Sequence, residues 1–401
     1  MVIDYWNLFV YCILVIGDFI KLLYNRKMSY QIIIIALAVV LAILFLAHWA
    51  LYRTIVDFFS PTNPTGLLVL KLGLAIMTIS LIAAFLLSTR YQNIFVRVFY
   101  AGAMSWLGFL NFFILASIIC WLVLGLSRVF SFSFDRSLLA AILFCAGIIL
   151  AIYGIFNSGN VRVNRLSIKL PNLPAAWQGK IAVWVSDTHL GQIRGVGFAG
   201  RVASLAGEEH PDILFIGGDL FDGVAADDEK LVEPFAKIEA SQGTYFITGN
   251  HEEFSQDSKE KYLAIVKKSG IRVLDNEMIN LDGLQIIGVD YSDAMNLDKF
   301  KAILQGLGID KNKPSILLRH APFNIPEAEQ AGISLQLSGH THQGQLFLFK
   351  YITYFVYKGF DFGLKKLGNM IVYTCAGAGT WGPPMRVDTN PDIVVIELVK
   401  G

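Results

Sequence analysis

The sequence predicts an all-α membrane part followed by a soluble α/β domain. Three observations predict it. Charge is unevenly divided: residues 1–157 carry nine Lys/Arg and four Asp/Glu, whereas residues 158–401 carry 24 and 28. Long apolar stretches fill the first part and are missing from the second. In the second part short apolar runs alternate with helical stretches, the pattern of an α/β domain. The near-neutral formal charge of +1 hides this division.

An apolar fraction of 54% and a mean hydropathy of +0.53 are too high for one soluble domain. About 20 apolar residues in a helix span a bilayer core. Stretches 31–51, 67–87, 98–126 and 138–156 meet that requirement. A fifth stretch, 5–24, carries Asn7, Asp18 and Lys21. It reads as a span, an interfacial helix or an extension ahead of Met28. Residues 1–157 are thus a transmembrane domain of four or five spans. Arg26 and Lys27, then Arg90 and Arg97, then Arg162, Arg165 and Lys169 fall on one side of the spans. That bias puts the soluble domain on the cytoplasmic side of a multi-pass protein in the cell membrane. Asp18 and His48 are the ionisable groups inside apolar runs, and His48 lies near enough to a span end to reach the interface. No internal repeat or polar track suggests a transporter.

Residues 158–401 form the soluble domain. An alternating stretch over 161–170 reads as an edge or half-buried strand. Buried strands are expected at 180–185, 212–216, 245–248, 315–318 and 333–337, and helices at 198–210, 229–240, 259–269 and 297–306. Short strands at 272–274, 278–281 and 284–289 include an Asp282-Gly283 turn. Five of the buried runs end in polar strings: SDTH (186–189), GDLFD (218–222), GNHE (249–252), RHAP (319–322) and GHTH (339–342). Near-continuous apolar runs suit parallel strands buried on both faces. In open α/β sheets, reactive groups collect beyond the carboxyl ends of such strands.

The strings deliver Asp187, His189, Asp219, Asn250, His251, His320, His340 and His342. These are oxygen and imidazole donors without thiolate, a set suited to Mn, Fe, Zn or Co. Asp187 and His189, two apart in extended chain, point the same way and can grip one ion. Each string alone has a plainer reading. SDTH can be a strand end leading into a helix cap, Asn250 a turn residue, and Asp222 a cap. Their number and order make the joint reading specific.

D-x-H, GD-x-x-D, GNH-E, H-x-P and GH-x-H, in this order, resemble the calcineurin-like metallophosphoesterase superfamily. The membrane-anchored subgroup is the nearest likeness, supported by SDTHLG and by the stretch 379–398. The resemblance covers about residues 161–400. It implies a two-sheet α/β/β/α sandwich with two divalent metal ions. By resemblance, Asp187, His189, Asp219 and His342 hold one ion. Asp219, Asn250, His320 and His340 hold the other, so Asp219 bridges the two. It further implies that His251 protonates the leaving oxygen or contacts the phosphate, oriented by Asp222. Gly223 stands where protein Ser/Thr phosphatases of the superfamily have Arg, which counts against protein phosphatase activity. No Tyr lies in the ligand strings, so the purple acid phosphatases fit poorly as well.

The expected function is hydrolysis of a phosphodiester, phosphomonoester or pyrophosphate at the membrane, with a lipid-linked substrate favoured by the anchoring. The alternatives are a membrane sensor or binding protein using the fold as a ligand module, and an anchored nuclease. The acidic soluble domain lacks a basic stripe, which makes nucleic acid a poor partner. The stretch after GHTH is rich in aromatics from Phe347 to Phe362, with Lys350, Lys358, Lys365 and Lys366 among them. Such a composition suits a membrane interface, a guide for an acyl chain, or packing within the protein. Four cysteines without a CxxC, Cys375 alone in the soluble part, point to a reducing compartment.

Overall fold

A computed structural model describes residues 30–253 and 256–401. The sequence candidate at 5–24, with Asp18 and Cys12, lies outside the described residues. The chain packs as two units. One is Met1–Phe156 with Gly382–Val387, and the other is Asn157–Trp381 with Asp388–Gly401.

The first unit is helical. Its helices are α1 (Tyr30–Phe59), α2 (Pro64–Ser88), α3 (Ile94–Phe130) and α4 (Arg136–Asn157). All four contain stretches long and apolar enough to cross a membrane. Asn63 caps α2 by accepting from the amides of Thr65 and Gly66, with Pro64 pre-set at the first helical position. Asn93 caps α3 through the amide of Val96. Lipid offers no hydrophobic drive between helices, so polar contacts and close packing specify the pairing. Two tryptophans of α3 supply such contacts. Trp106 Nε1 donates to His48 Nε2 at 2.9 Å, and Trp121 Nε1 donates to Thr54 Oγ1 at 2.9 Å. His48 is therefore buried between helices, and the expectation that it reaches the interface is wrong. Its Nδ1–H donates to the Leu44 carbonyl at 2.8 Å, leaving Nε2 as the acceptor for the indole.

The second unit holds two mixed six-stranded sheets. The first sheet contains β1 (Arg162–Leu170), β2 (Ile181–Val185), β3 (Ile213–Ile216), β4 (Thr244–Phe246), β5 (Arg272–Val273) and β12 (Asp392–Lys400), in the order β1-β12-β2-β3-β4-β5. The second contains β6 (Glu277–Leu281), β7 (Leu284–Gly288), β8 (Ser315–Leu318), β9 (Leu335–Ser338), β10 (Gly363–Leu367) and β11 (Met370–Thr374), in the order β10-β11-β9-β8-β7-β6. Strands β2, β3, β4 and β5 run parallel, as do β7, β8, β9 and β11. The inner faces of both sheets share one core, in which Trp184 and Phe215 meet the layer of Ile286, Ile316 and Leu335. Helices α5 (Val196–Gly207), α6 (Asp228–Ala236) and α7 (Gln256–Lys268) cover the outer face of the first sheet, burying Phe198, Leu231, Phe235 and Val266 there. Across the second sheet, α8 (Tyr291–Met295), α9 (Leu297–Gly306) and α10 (Ile325–Gln330) bury Ala294, Phe300 and Ala328. The layers are α/β/β/α. This explains why β2 and β3 are apolar throughout, and β8 after its leading Ser315: both of their faces are covered, as are those of β9, where Gln336 Nε2 donates to Ser338 Oγ.

Three strands and three short helices go beyond what the sequence pattern assigns. Strand β12 inserts between β1 and β2, parallel to the former and antiparallel to the latter. Strands β10 and β11 form a hairpin whose turn, Gly368-Asn369, has a glycine at φ +54°. The helices are α8, α10 and α11 (Phe349–Val356), the last of which follows the final polar string.

Candidate metal centre

Each of the five strings sits at the carboxyl end of its strand. Asp187 and His189 follow β2, Asp219 and Asp222 follow β3, and Asn250 and His251 follow β4, three neighbours in the first sheet. His320 follows β8, and His340 and His342 follow β9, neighbours in the second sheet. Backbone pairing continues past the strand ends: the Asp187 amide donates to Gly218 O at 3.0 Å, and the His189 amide to Asp219 O at 3.0 Å. Bonds between the two sheets' loops include two at these strings. The His340 amide donates to the Asp187 carboxylate at 2.9 and 3.1 Å, and His320 Nδ1–H donates to Gly217 O at 2.8 Å. The second bond leaves His320 Nε2 facing Asp219 Oδ2, 3.2 Å away.

The side chains therefore converge. His189 Nε2 and His342 Nε2 are 3.0 Å apart, and Asp187 Oδ1 is 3.7 Å from His342 Nε2. His340 Nδ1 and His320 Nε2 are 3.2 Å apart. One ligand atom each from Asp187, His189 and His342 lie within 4.8 Å of one another, and the same holds for Asp219, His320 and His340. A third such group is His189, Asp222 and His251. His189 Nε2 lies 3.7 Å from Asp219 Oδ2, which also faces His320. The Asp219 carboxylate thus faces a histidine of each of the first two groups.

The local backbone is unusual. Asp187, His189, Asp219, His340 and His342 have φ of +53°, +46°, +49°, +69° and +49°. Side chains other than glycine adopt that region at a cost, and such residues cluster where function over-determines the geometry. Two glycines make room. A Cβ on Gly249 would lie 2.2 Å from Asp219 Oδ1, and one on Gly339 would lie 2.1 Å from Asp187 Oδ2.

Charge is concentrated here with almost no solvent. Burial raises the Asp187 carboxyl, and His320 and His189 offset it only in part. Burial would raise Asp219 too, but His320, His251 and His189 outweigh it and hold that carboxyl well below its ordinary value. Burial alone would depress His320, yet Asp219 and Asp187 push it up to about 10. Buried carboxylates that draw a proton onto a neighbouring imidazole call for positive charge. Divalent cations fit that demand, and the hard oxygen and imidazole donors fit it chemically. Asn250 supplies an independent sign: its Oδ1 is buried and has no hydrogen-bond partner among the described residues. A buried carbonyl oxygen left so is costly unless something else binds it, and a metal ion does.

His251 lies against His189, ring centroids 4.4 Å apart and edge to face. Its amide donates to Asp219 Oδ1 at 2.9 Å, and its Nδ1–H donates to the Asp222 backbone carbonyl at 3.1 Å. Burial pulls the His251 imidazole down to about 4 and pushes the Asp222 carboxyl up to about 7. The Asp222 carboxylate is nearer to His189 Nδ1, at 3.3 Å, than to His251 Nδ1, at 3.7 Å.

Two residues of the site go unforeseen in the sequence reading. The buried Glu252 carboxylate accepts from the amides of Asp219 at 2.9 Å, Gly249 at 2.8 Å and Phe221 at 3.1 Å, tying the β3 and β4 loops together. It stands within GNHE and is visible there as a carboxylate with no assigned task. Tyr291 packs its ring 5.7 Å from His320 and 5.8 Å from His340. It follows β7 as the other strings follow their strands, in the sequence GVDY (288–291), and that parallel is the signal.

Residues 182–344 match the family of calcineurin-like phosphoesterases. A zebrafish (Danio rerio) transmembrane protein with metallophosphoesterase domain is 32% identical over 286 residues, 66% of this chain and 63% of that protein. The chain thus spans somewhat less than two thirds of the zebrafish protein's length. An uncharacterized metallophosphoesterase of Aquifex aeolicus is 34% identical over 260 residues, 63% of this chain and 97% of that protein. Among solved structures, TT1561 of Thermus thermophilus aligns with a TM-score of 0.35 at 14% identity, over 50% of this chain and 91% of that one. With the strings in order, the donors gathered between two sheets, and a relative matched along nearly its whole length, the chain belongs to the calcineurin-like phosphoesterase family, a family of metal-dependent phosphoester hydrolases.

Proposed function

We propose that this chain is a membrane-anchored phosphoesterase with two divalent metal ions, Mn, Fe or Zn. Asp187, His189, Asp219 and His342 hold one ion. Asp219, Asn250, His320 and His340 hold the other. The observation that carries this reading is the meeting of both donor groups at the Asp219 carboxylate, which faces His320 at 3.2 Å and His189 at 3.7 Å. Bound there, divalent ions supply Lewis-acid polarisation of a phosphoryl group and charge stabilisation of the attacking and leaving oxygens.

The chain's own residues do the rest. The bond from His251 Nδ1 to the Asp222 carbonyl fixes that proton, so proton exchange with a substrate falls to Nε2. Its edge contact with His189 puts this ring beside the ligands; neutral, it offers Nε2 as an acceptor, and it gives a leaving oxygen a proton only in its imidazolium form. Asp222 stands behind both imidazoles, its carboxyl 3.3 Å from His189 Nδ1 and 3.7 Å from His251 Nδ1, where a carboxylate can steady a metal-bound histidine. Glu252 fixes the loop that carries Asp219.

The substrate is a phosphodiester, phosphomonoester or pyrophosphate, and membrane anchoring favours one borne by a lipid. Residues 1–157 form the multi-pass anchor, and residues 158–401 the hydrolase on the cytoplasmic side. The test uses the full chain in detergent with an aryl phosphodiester. Chelator abolishes hydrolysis and Mn restores it. His251→Ala loses hydrolysis while keeping its metal. Full activity after chelation would refute the assignment, and an active His251→Ala would remove that residue from the reaction.

A further inference from the structure

Helix α11 turns the wrong way for a surface helix. An amphipathic helix on a soluble domain normally lays its apolar face on the core. Here Tyr351, Tyr354 and Phe355 share one face of the helix and, with Phe347 and Leu348 just ahead of it, are all exposed, Phe355 to 78% and Tyr351 to 53%. The opposite side holds the helix down. Lys350 pairs with Asp388, and Thr353 Oγ1 donates to Asp361 Oδ2 at 3.2 Å. Tyr357, just past the helix, is buried, its ring 4.7 Å from Phe323 and 6.2 Å from His340. The helix is anchored to the metal-site loop, and its apolar side faces outward by construction.

We propose that this face docks on a lipid bilayer, sitting among the headgroups beside the metal centre. Three features favour a bilayer over a protein partner. The exposed stripe is largely aromatic, and tyrosines with an apolar body and polar tip partition to membrane interfaces. Exposed Lys358, Lys365 and Lys366 follow the helix and suit anionic headgroups. The chain itself carries four helices fit to cross a membrane, so a bilayer is always within its reach. Docking there would bring the site around His340 to the level at which lipid phosphoesters lie.

Photocrosslinking tests this without any need for hydrolysis, so its outcome is separate from that of the enzymatic proposal. p-Benzoylphenylalanine is placed at position 355, at 351 on the same face, or at the exposed control position 301 on α9. Both test positions already carry exposed aromatic rings, so the fold is preserved. The full chain is reconstituted in nanodiscs of phosphatidylcholine and phosphatidylglycerol, irradiated and examined by mass spectrometry. The dominant adduct at 355 and 351 is expected to be phospholipid, several-fold above position 301. Adducts to this chain's own peptides, crosslinked dimers, or lipid capture no greater than at 301 would overturn the proposal.

Discussion

The Asp222 carboxylate stands closer to His189 than to His251, at 3.3 against 3.7 Å. On the proposed assignment it supports a metal ligand at least as much as a proton donor. Carboxylates behind metal-bound histidines are worth about 10–100-fold in affinity. Asp222→Asn is expected to weaken metal binding by about tenfold or more. Titration of the metal-stripped chain with Mn, read by isothermal calorimetry, checks this. Unchanged affinity with reduced turnover would instead confine Asp222 to His251.

Glu252 accepts from three buried amides. Glu252→Ala leaves all three without a partner, at about 1–3 kcal/mol for each buried donor before relaxation. A clear fall in melting temperature is expected, together with loss of bound metal, because the Asp219 loop is no longer fixed. Differential scanning fluorimetry and metal content measure the two effects.

The strands and their reactive ends were legible from sequence because β2, β3 and β8 are almost wholly apolar and each, like β9, stops at a polar string. That reading carried Asp187, His189, Asp219, Asn250, His320, His340 and His342 to their strand ends. It failed where the physics was less local. Strand β12 alternates too little to reveal that it inserts between β1 and β2, a long-range pairing. The aromatic composition of α11 was plain, but nothing local says that its apolar face turns outward. His48 sat near a span end in sequence, and only the tertiary contact with Trp106 buries it. Glu252 and Tyr291 act by bracing others, a role without a motif.

Outside the ligand set, Glu253 offers a pH test. Burial, with Asp290 beside it, raises its carboxyl to about 7. Its folded value lies above the unfolded one, so the folded state holds this proton more tightly. That stabilising contribution is complete below the unfolded pKa of about 4.3. It is lost as pH rises through about 7. Melting temperature is expected to fall between about pH 5 and pH 8 in the wild-type chain, and to fall less in Glu253→Gln. Equal slopes in the two chains would contradict this origin.

In the helical unit, Trp106→Phe removes the indole donor to His48 while keeping an aromatic ring. Interhelical hydrogen bonds within membranes average about 0.6 kcal/mol and reach about 1.7 kcal/mol. A destabilisation of about 1 kcal/mol is expected. Denaturation in mixed micelles measures it, and His48→Leu should add little to Trp106→Phe in the double variant.

If two cations share the Asp219 carboxylate as proposed, electron paramagnetic resonance of the Mn-loaded chain registers them as a pair. Two Mn ions about 4 Å apart would be exchange-coupled. Two Mn bound per chain are expected, with a coupled spectrum that collapses to that of an isolated ion in His320→Ala. A single uncoupled Mn in the wild-type chain, or none, would contradict it.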